Sequence, residues 1–146
     1  TKEYQVIIFK HCFPVSNIIE TLDSARVDSD VKTLQNYMLQ YAALMKKLNE
    51  FPEVKFVLFT GAAQVESQIS VEEAERAKEF FSWVVEEWDI PEDNIYLWDF
   101  YRLETEGELF LRNEYATSIT DSHPNKFFAK KAADLLFGRI IEVIEE

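Results

Sequence analysis

The sequence predicts an α/β domain with a mainly parallel sheet and flanking helices, and three observations carry that expectation. Residues 4–10 (YQVIIFK), 54–60 (VKFVLFT) and 94–100 (NIYLWDF) are short runs of β-branched and aromatic residues, the composition of strands. Each is followed by a segment with apolar residues at helical spacing, so the order is strand, helix, strand, helix, strand, helix. Right-handed crossovers between parallel strands accommodate that order. The first run also places Val6, Ile7, Ile8 and Phe9 consecutively, the pattern of a strand buried on both faces.

The 146 residues, 47% apolar and 14% aromatic, suit one domain with a real core and exclude a disordered chain. A net charge of −12 argues against nucleic acid and against anionic membrane surfaces as partners. The single cysteine, Cys12, allows no intrachain disulfide. No apolar run approaches membrane-spanning length, and no signal-peptide pattern opens the chain, so composition leaves the compartment open. Because a strand follows Thr1 almost at once, the chain reads as a processed or truncated product, incomplete at its N-terminus.

After the first strand, Pro14 breaks a segment whose Val15, Ile18, Ile19 and Leu22 suit a helical turn. Ser29 or Asp30 can cap the next helix, which runs to about residue 49, with Val31, Leu34, Met38, Tyr41, Met45 and Leu48 as one apolar stripe. Pro52 marks a tight connection into the second strand, and Gly61 ends that strand. Ser70-Val71-Glu72-Glu73 is a capping box. The helix it opens buries Ala74, Ala77, Phe81, Val84, Val85 and Trp88, exposes Glu72, Glu75, Glu79 and Glu86, and stops at Pro91. The last helix, from about Pro124 to Glu145, buries Phe127, Phe128, Ala132, Leu135, Leu136, Ile140 and Ile144. Gly138 inside it points to a close packing contact. Strand 4–10 is apolar on both faces yet has only two other strands to join, so its outer edge should pair with a missing segment or a second chain.

The connections are unequal. Those entering strands are short (49–53 and 89–93), whereas those leaving strands are long (11–28, 61–69 and 101–123). Typical strand-to-helix loops hold about 2–6 residues, and open α/β sheets bind ligands beyond the carboxyl ends of their strands. The long loops therefore mark a site, and His11, Cys12, Gln64, Asp99, Asp121 and His123 all fall on that edge. Within Asp121-Ser122-His123-Pro124-Asn125, an Asp near a His has the makings of a carboxylate-oriented imidazole; helix capping by Asp and Asn is the plainer reading. A Cys12/His11 nucleophilic pair is disfavoured because adjacent residues leaving a strand point apart. A zinc site from His11, Cys12, Asp121 and His123 has no support in the spacing. Cys12, beside Phe13 and Pro14, reads as a shielded structural thiol.

With that order and that edge, the chain resembles the C-terminal half to two thirds of the SGNH (GDSL-type) hydrolases. The resemblance rests on His123-Pro124-Asn125 at the start of the final helix, preceded by Asp121, and on three successive strands opening into loops at one edge. Lys10-His11-Cys12-Phe13-Pro14 is similar to a loop of an uncharacterised SGNH-like subgroup. The resemblance implies a flavodoxin-like, three-layer fold and hydrolysis of an acyl or acetyl ester, on a small molecule or a carbohydrate, with no metal or organic cofactor. It makes His123 the general base and Asp121 its orienter, Asp99 being the other acidic candidate. Ser16 and Asn17 are the nearest oxyanion-donor candidates, with His11 and Gln64 as further substrate contacts. The chain departs from the family pattern in three places: D-x-H replaces D-x-x-H, the G-x-N-D block is unrecognisable, and the block with the serine nucleophile is absent. A non-catalytic α/β binding or assembly module is the alternative.

Overall fold

The computed structural model describes residues 5–12, 16–21 and 24–146. The expected Phe13 and Pro14 loop motif and the patch members Val15 and Leu22 lie outside them. Strands β1 (Val6–Lys10), β2 (Lys55–Phe59) and β3 (Ile95–Trp98) form a parallel sheet in the order β1-β2-β3. Ile8, Val57 and Tyr96 are in register, as are Phe9, Leu58 and Leu97, so side chains alternate between two faces across all three strands. The mixed α/β character and the parallel sheet agree with the expectation from sequence.

Helices α1 (Leu34–Leu48) and α2 (Val71–Trp83) join the core that contains Phe56, Leu58 and Ile95. Tyr37 and Tyr41 of α1 meet Phe80 and Phe81 of α2 in an aromatic cluster, and the Trp88 indole donates to the Tyr41 carbonyl at 2.8 Å. The two short entry connections are stitched by one side chain. Asn94 Nδ2 donates to the carbonyls of Leu48, Phe51 and Val54, adding to the bonds that the Leu48 and Phe51 carbonyls accept from the Phe51 and Val54 amides in the turn around Pro52.

Several boundaries differ from the expectation. The cap of α1 is Thr33, whose hydroxyl accepts from the Asn36 amide. Ser29 and Asp30 do not cap it because Ile19 and Thr33 form a parallel bridge that keeps the preceding chain extended, and Val31 of the expected stripe is exposed. Ser70 does cap α2, with the reciprocal bond from Glu73 in place. The end of α2 widens into a π-helical turn, Val84–Trp88, which buries Val84 and Trp88 and leaves Val85 only partly buried. Residues 99–105 leave the third strand early. Asp99 accepts from the Arg102 amide and caps a short helix, α3 (Phe100–Thr105).

The expected loop 101–123 holds further structure. After α3 the chain tucks Leu111 into the core and forms an antiparallel pair, β4 (Ala116–Ser118) with β5 (Asp121–Pro124). His123 and Pro124 therefore end a strand rather than open a helix. Asn125 is the cap of α4 (Lys126–Glu145): its Oδ1 accepts from the Phe128 amide, and its Nδ2 holds the Glu114 and Ala116 carbonyls.

The buried side of α4 is Phe128, Ala132 and Val143, whereas Phe127, Leu135 and Ile144 are exposed. Exposed apolar residues lie among the charged ones of this helix, so periodicity does not single out one face. Polar anchors help to decide the rotation, with Arg139 Nε on the Leu97 carbonyl at 3.0 Å and Lys55 Nζ on the Val143 carbonyl at 2.7 Å. Gly138 makes no close packing contact: a Cβ there would meet nothing within 4 Å. The glycine that packing requires is Gly61, where a Cβ would lie 2.0 Å from Phe81 Cζ.

Candidate functional site

Parallel strands release their chains at a common edge, and the described parts of the three long connections are laced together there. Leaving β1, Ser16 Oγ donates to the Ala62 carbonyl at 2.7 Å and Asn17 Oδ1 accepts from Gln64 Nε2 at 2.6 Å. Leaving β2, the Ala63 amide donates to Glu104 Oε2 at 2.8 Å, and the Val65 amide donates to Ser122 Oγ at 3.1 Å. The Gln64 carbonyl accepts from the Leu111 amide at 2.9 Å. Residues 62–65 are thus the strip on which the post-β1 segment, α3 and the β4–β5 hairpin all close.

The hairpin determines how its polar residues are displayed. Along β5, Ser122 is buried and bonded to the strip, while its neighbour His123 is exposed. Asp121 Oδ1 accepts both the His123 backbone amide at 2.9 Å and His123 Nδ1 at 2.6 Å. Those two bonds hold the Asp121 carboxyl below its ordinary range, the backbone bond contributing most. The shortened D-x-H spacing still allows contact, because the carboxylate curls over one intervening residue. A neutral imidazole that donates through Nδ1 carries its acceptor lone pair on Nε2.

The other sequence-predicted residues are distributed as follows. Ser16, Asn17 and Gln64 join the laced strip next to the hairpin; Ser16 is buried with its hydroxyl committed to Ala62. His11 lies apart, on the helix-covered face of the sheet. It is edge-on to Tyr37, Phe80 and Phe81, and its Nδ1 is 3.1 Å from the Tyr41 hydroxyl. Burial pushes its pKa down to about 4, so the ring is neutral at neutral pH. Cys12 is exposed, contrary to the shielded thiol expected from its apolar neighbours. Alternation at the strand exit turns His11 toward the aromatic cluster and Cys12 outward. Asp99 caps α3 and accepts from Thr60 Oγ1 at 3.0 Å. Among the described residues no group of three or more His, Cys, Asp or Glu is arranged to hold a metal ion.

Glu104 was not singled out from sequence. It is fully buried behind the strip, and burial raises its pKa to about 8 against the opposing Ala63 bond. Its only signal is position: three and four residues after Tyr101 and Phe100, it shares their face of a short helix. Compared with known proteins, the chain matches no family model, no curated protein and no solved structure.

Proposed function

We propose that the chain is the His–Asp-bearing part of an SGNH-like ester hydrolase with a three-layer, flavodoxin-like plan. The observation that carries this reading is the 2.6 Å bond between His123 Nδ1 and Asp121, displayed on an exposed hairpin beside the laced strip. His123 Nε2 takes the proton from a serine hydroxyl as its oxygen attacks the ester carbonyl. The same nitrogen returns that proton to the leaving alcohol, and water repeats the sequence to release the acid. Asp121 orients the ring and stabilises the imidazolium, while Gln64 and Asn17, bonded to each other at 2.6 Å, are the candidate substrate contacts. The substrate is an acyl or acetyl ester, borne on a small molecule or a carbohydrate, and the chemistry calls for no metal or organic cofactor.

Ser16 and Ser122 are buried, with Oγ bonded to Ala62 and Val65, so neither is a ready nucleophile. We place the attacking serine on a segment or second chain that pairs beside β1, where Ile7 and Ile8 are exposed at the sheet edge. A second reading, a non-catalytic assembly module, is favoured by the same edge together with exposed Phe137 and Ile144 on α4.

Hydrolysis of p-nitrophenyl acetate separates them. The 146-residue chain should stay at background; expressed with any residues encoded upstream of Thr1, it should turn over the ester. His123→Ala should abolish that turnover, and Asp121→Asn should cut it about 10⁴-fold by favouring the wrong tautomer. Turnover that survives His123→Ala sinks the catalytic assignment, and a longer chain without turnover favours the assembly module.

A further inference from the structure

Among the described residues Glu104 is the one fully buried carboxylate, and it sits behind residues 62–65. Its two oxygens are treated unequally. Oε2 takes the Ala63 amide at 2.8 Å, while Oε1 is buried with no hydrogen-bond partner among the described residues. Its backbone carbonyl accepts from the Arg112 amide at 3.1 Å, so the residue is clamped from both sides of the connection. An ionised carboxylate in this place carries a charge that one amide cannot solvate.

We propose that Glu104 is a positioning residue for the candidate site: its carboxyl fixes the Ala63 amide, and with it the strip that carries Gln64, so that a change at the carboxyl is felt along the strip. The inference rests on reading residues 62–65 as part of the site.

The chain of contacts is short. Ala63 is flanked by Ala62, which receives the Ser16 hydroxyl, and by Gln64, whose side chain donates to Asn17. Val65, one residue on, holds Ser122, next to His123 in β5. A shift at Ala63 therefore reaches the post-β1 segment and the hairpin together. Two titratable groups act on the pair from outside it. Lys10, at the end of β1, favours the carboxylate, and Tyr101, on the same helix, is held protonated in part by Glu104. Burial outweighs Lys10, so the proton is held up to about pH 8 and lost above it.

The test needs no turnover, so a failed esterase assay leaves it standing and its own failure leaves the hydrolase reading standing. The ¹⁵N-labelled chain is followed by NMR from pH 6 to 10. The Ala63 amide and the Gln64 side-chain amide should move together with one midpoint near 8. In Glu104→Gln, which keeps an acceptor but cannot ionise, both signals should hold their low-pH positions throughout. A carboxyl that does no more than accept one bond would move the Ala63 amide alone and leave the Gln64 side-chain amide unshifted, which also overturns the proposal. Flat signals in the parent, or an unchanged step in Glu104→Gln, overturn the proposal. The parent titration decides by itself if the variant does not fold.

Discussion

Two glycine-to-alanine substitutions should shift stability in opposite directions, and the structure supplies the reason for each sign. At Gly61 a Cβ would sit 2.0, 2.7 and 2.8 Å from three carbons of the Phe81 ring. Carbon atoms in good contact are about 3.5–4.0 Å apart, so the ring would have to retreat by roughly 1.5–2 Å. Phe81 is almost fully buried, with Phe80 and Tyr101 ring centroids at 5.1 and 5.0 Å, so it could retreat only by repacking toward the cavity it borders with Val85 and Asp99. Overpacking of this kind costs about 1–3 kcal/mol, and the closeness of the approach places Gly61→Ala at about 3 kcal/mol. Gly138→Ala meets no atom within 4 Å and lies inside α4. Relief of backbone entropy there should stabilise by roughly 0.5–1 kcal/mol. Urea titration of both variants beside the parent, with slopes compared to confirm a common unfolded state, measures the two differences. A Gly61→Ala loss under about 0.5 kcal/mol would refute the packing argument, as would equal effects of the two substitutions.

Two pH limbs follow from buried groups. His11 is held near 4, below its usual 6.5. The unfolded chain therefore binds the extra proton between these values, and the stability this ring contributes is lost as pH falls from 6.5 toward 4. Glu104 has the opposite sign: the folded state keeps a proton between about 4.5 and 8, so stability falls as pH rises through that window and levels off above it. The two slopes oppose each other between about 4.5 and 6.5. Urea titrations should therefore show the parent losing stability mainly from about 6.5 to 8, and Glu104→Gln should remove that fall and uncover the His11 limb below 6.5. A parent profile flat from 6.5 to 8 contradicts the Glu104 assignment, and a variant profile flat below 6.5 contradicts that of His11. Ser70→Ala should cost about 1 kcal/mol by removing the cap on α2, and a loss near zero by denaturant titration rejects that role. Cys12, exposed in the folded chain, should react fully with a thiol reagent without denaturant; protection until unfolding would show it is covered.

The His–Asp pair was legible because its members are two residues apart, so local chain geometry alone brings them into reach. The meeting of the long exit connections at one edge was legible because strand direction follows from element order. Glu104 was not, since its role depends on an amide 41 residues away in sequence. The same holds for Ser122, whose anchoring partner Val65 is 57 residues distant. His11 and Cys12 were placed on opposite sides by alternation, but which of the two turns inward depends on the aromatic side chains that α1 and α2 deliver.

What the sequence by itself determined is therefore the local and periodic part: the strand runs, the helical segments between them, the Ser70 cap and the Asp121–His123 spacing. These follow from hydrogen bonds and burial patterns that span a few residues. Tertiary structure alone decided the rotation of α4, the split of the last connection into α3 and a hairpin, and which glycine is close-packed. Because exposed apolar residues such as Phe127, Leu135 and Ile144 lie among the charged ones of α4, its buried side is fixed by packing of Phe128, Ala132 and Val143 with the Arg139 and Lys55 anchors, and a glycine reveals its purpose only when Phe81 is packed against it. Such choices are settled by contacts between distant segments, whose energies no local pattern encodes.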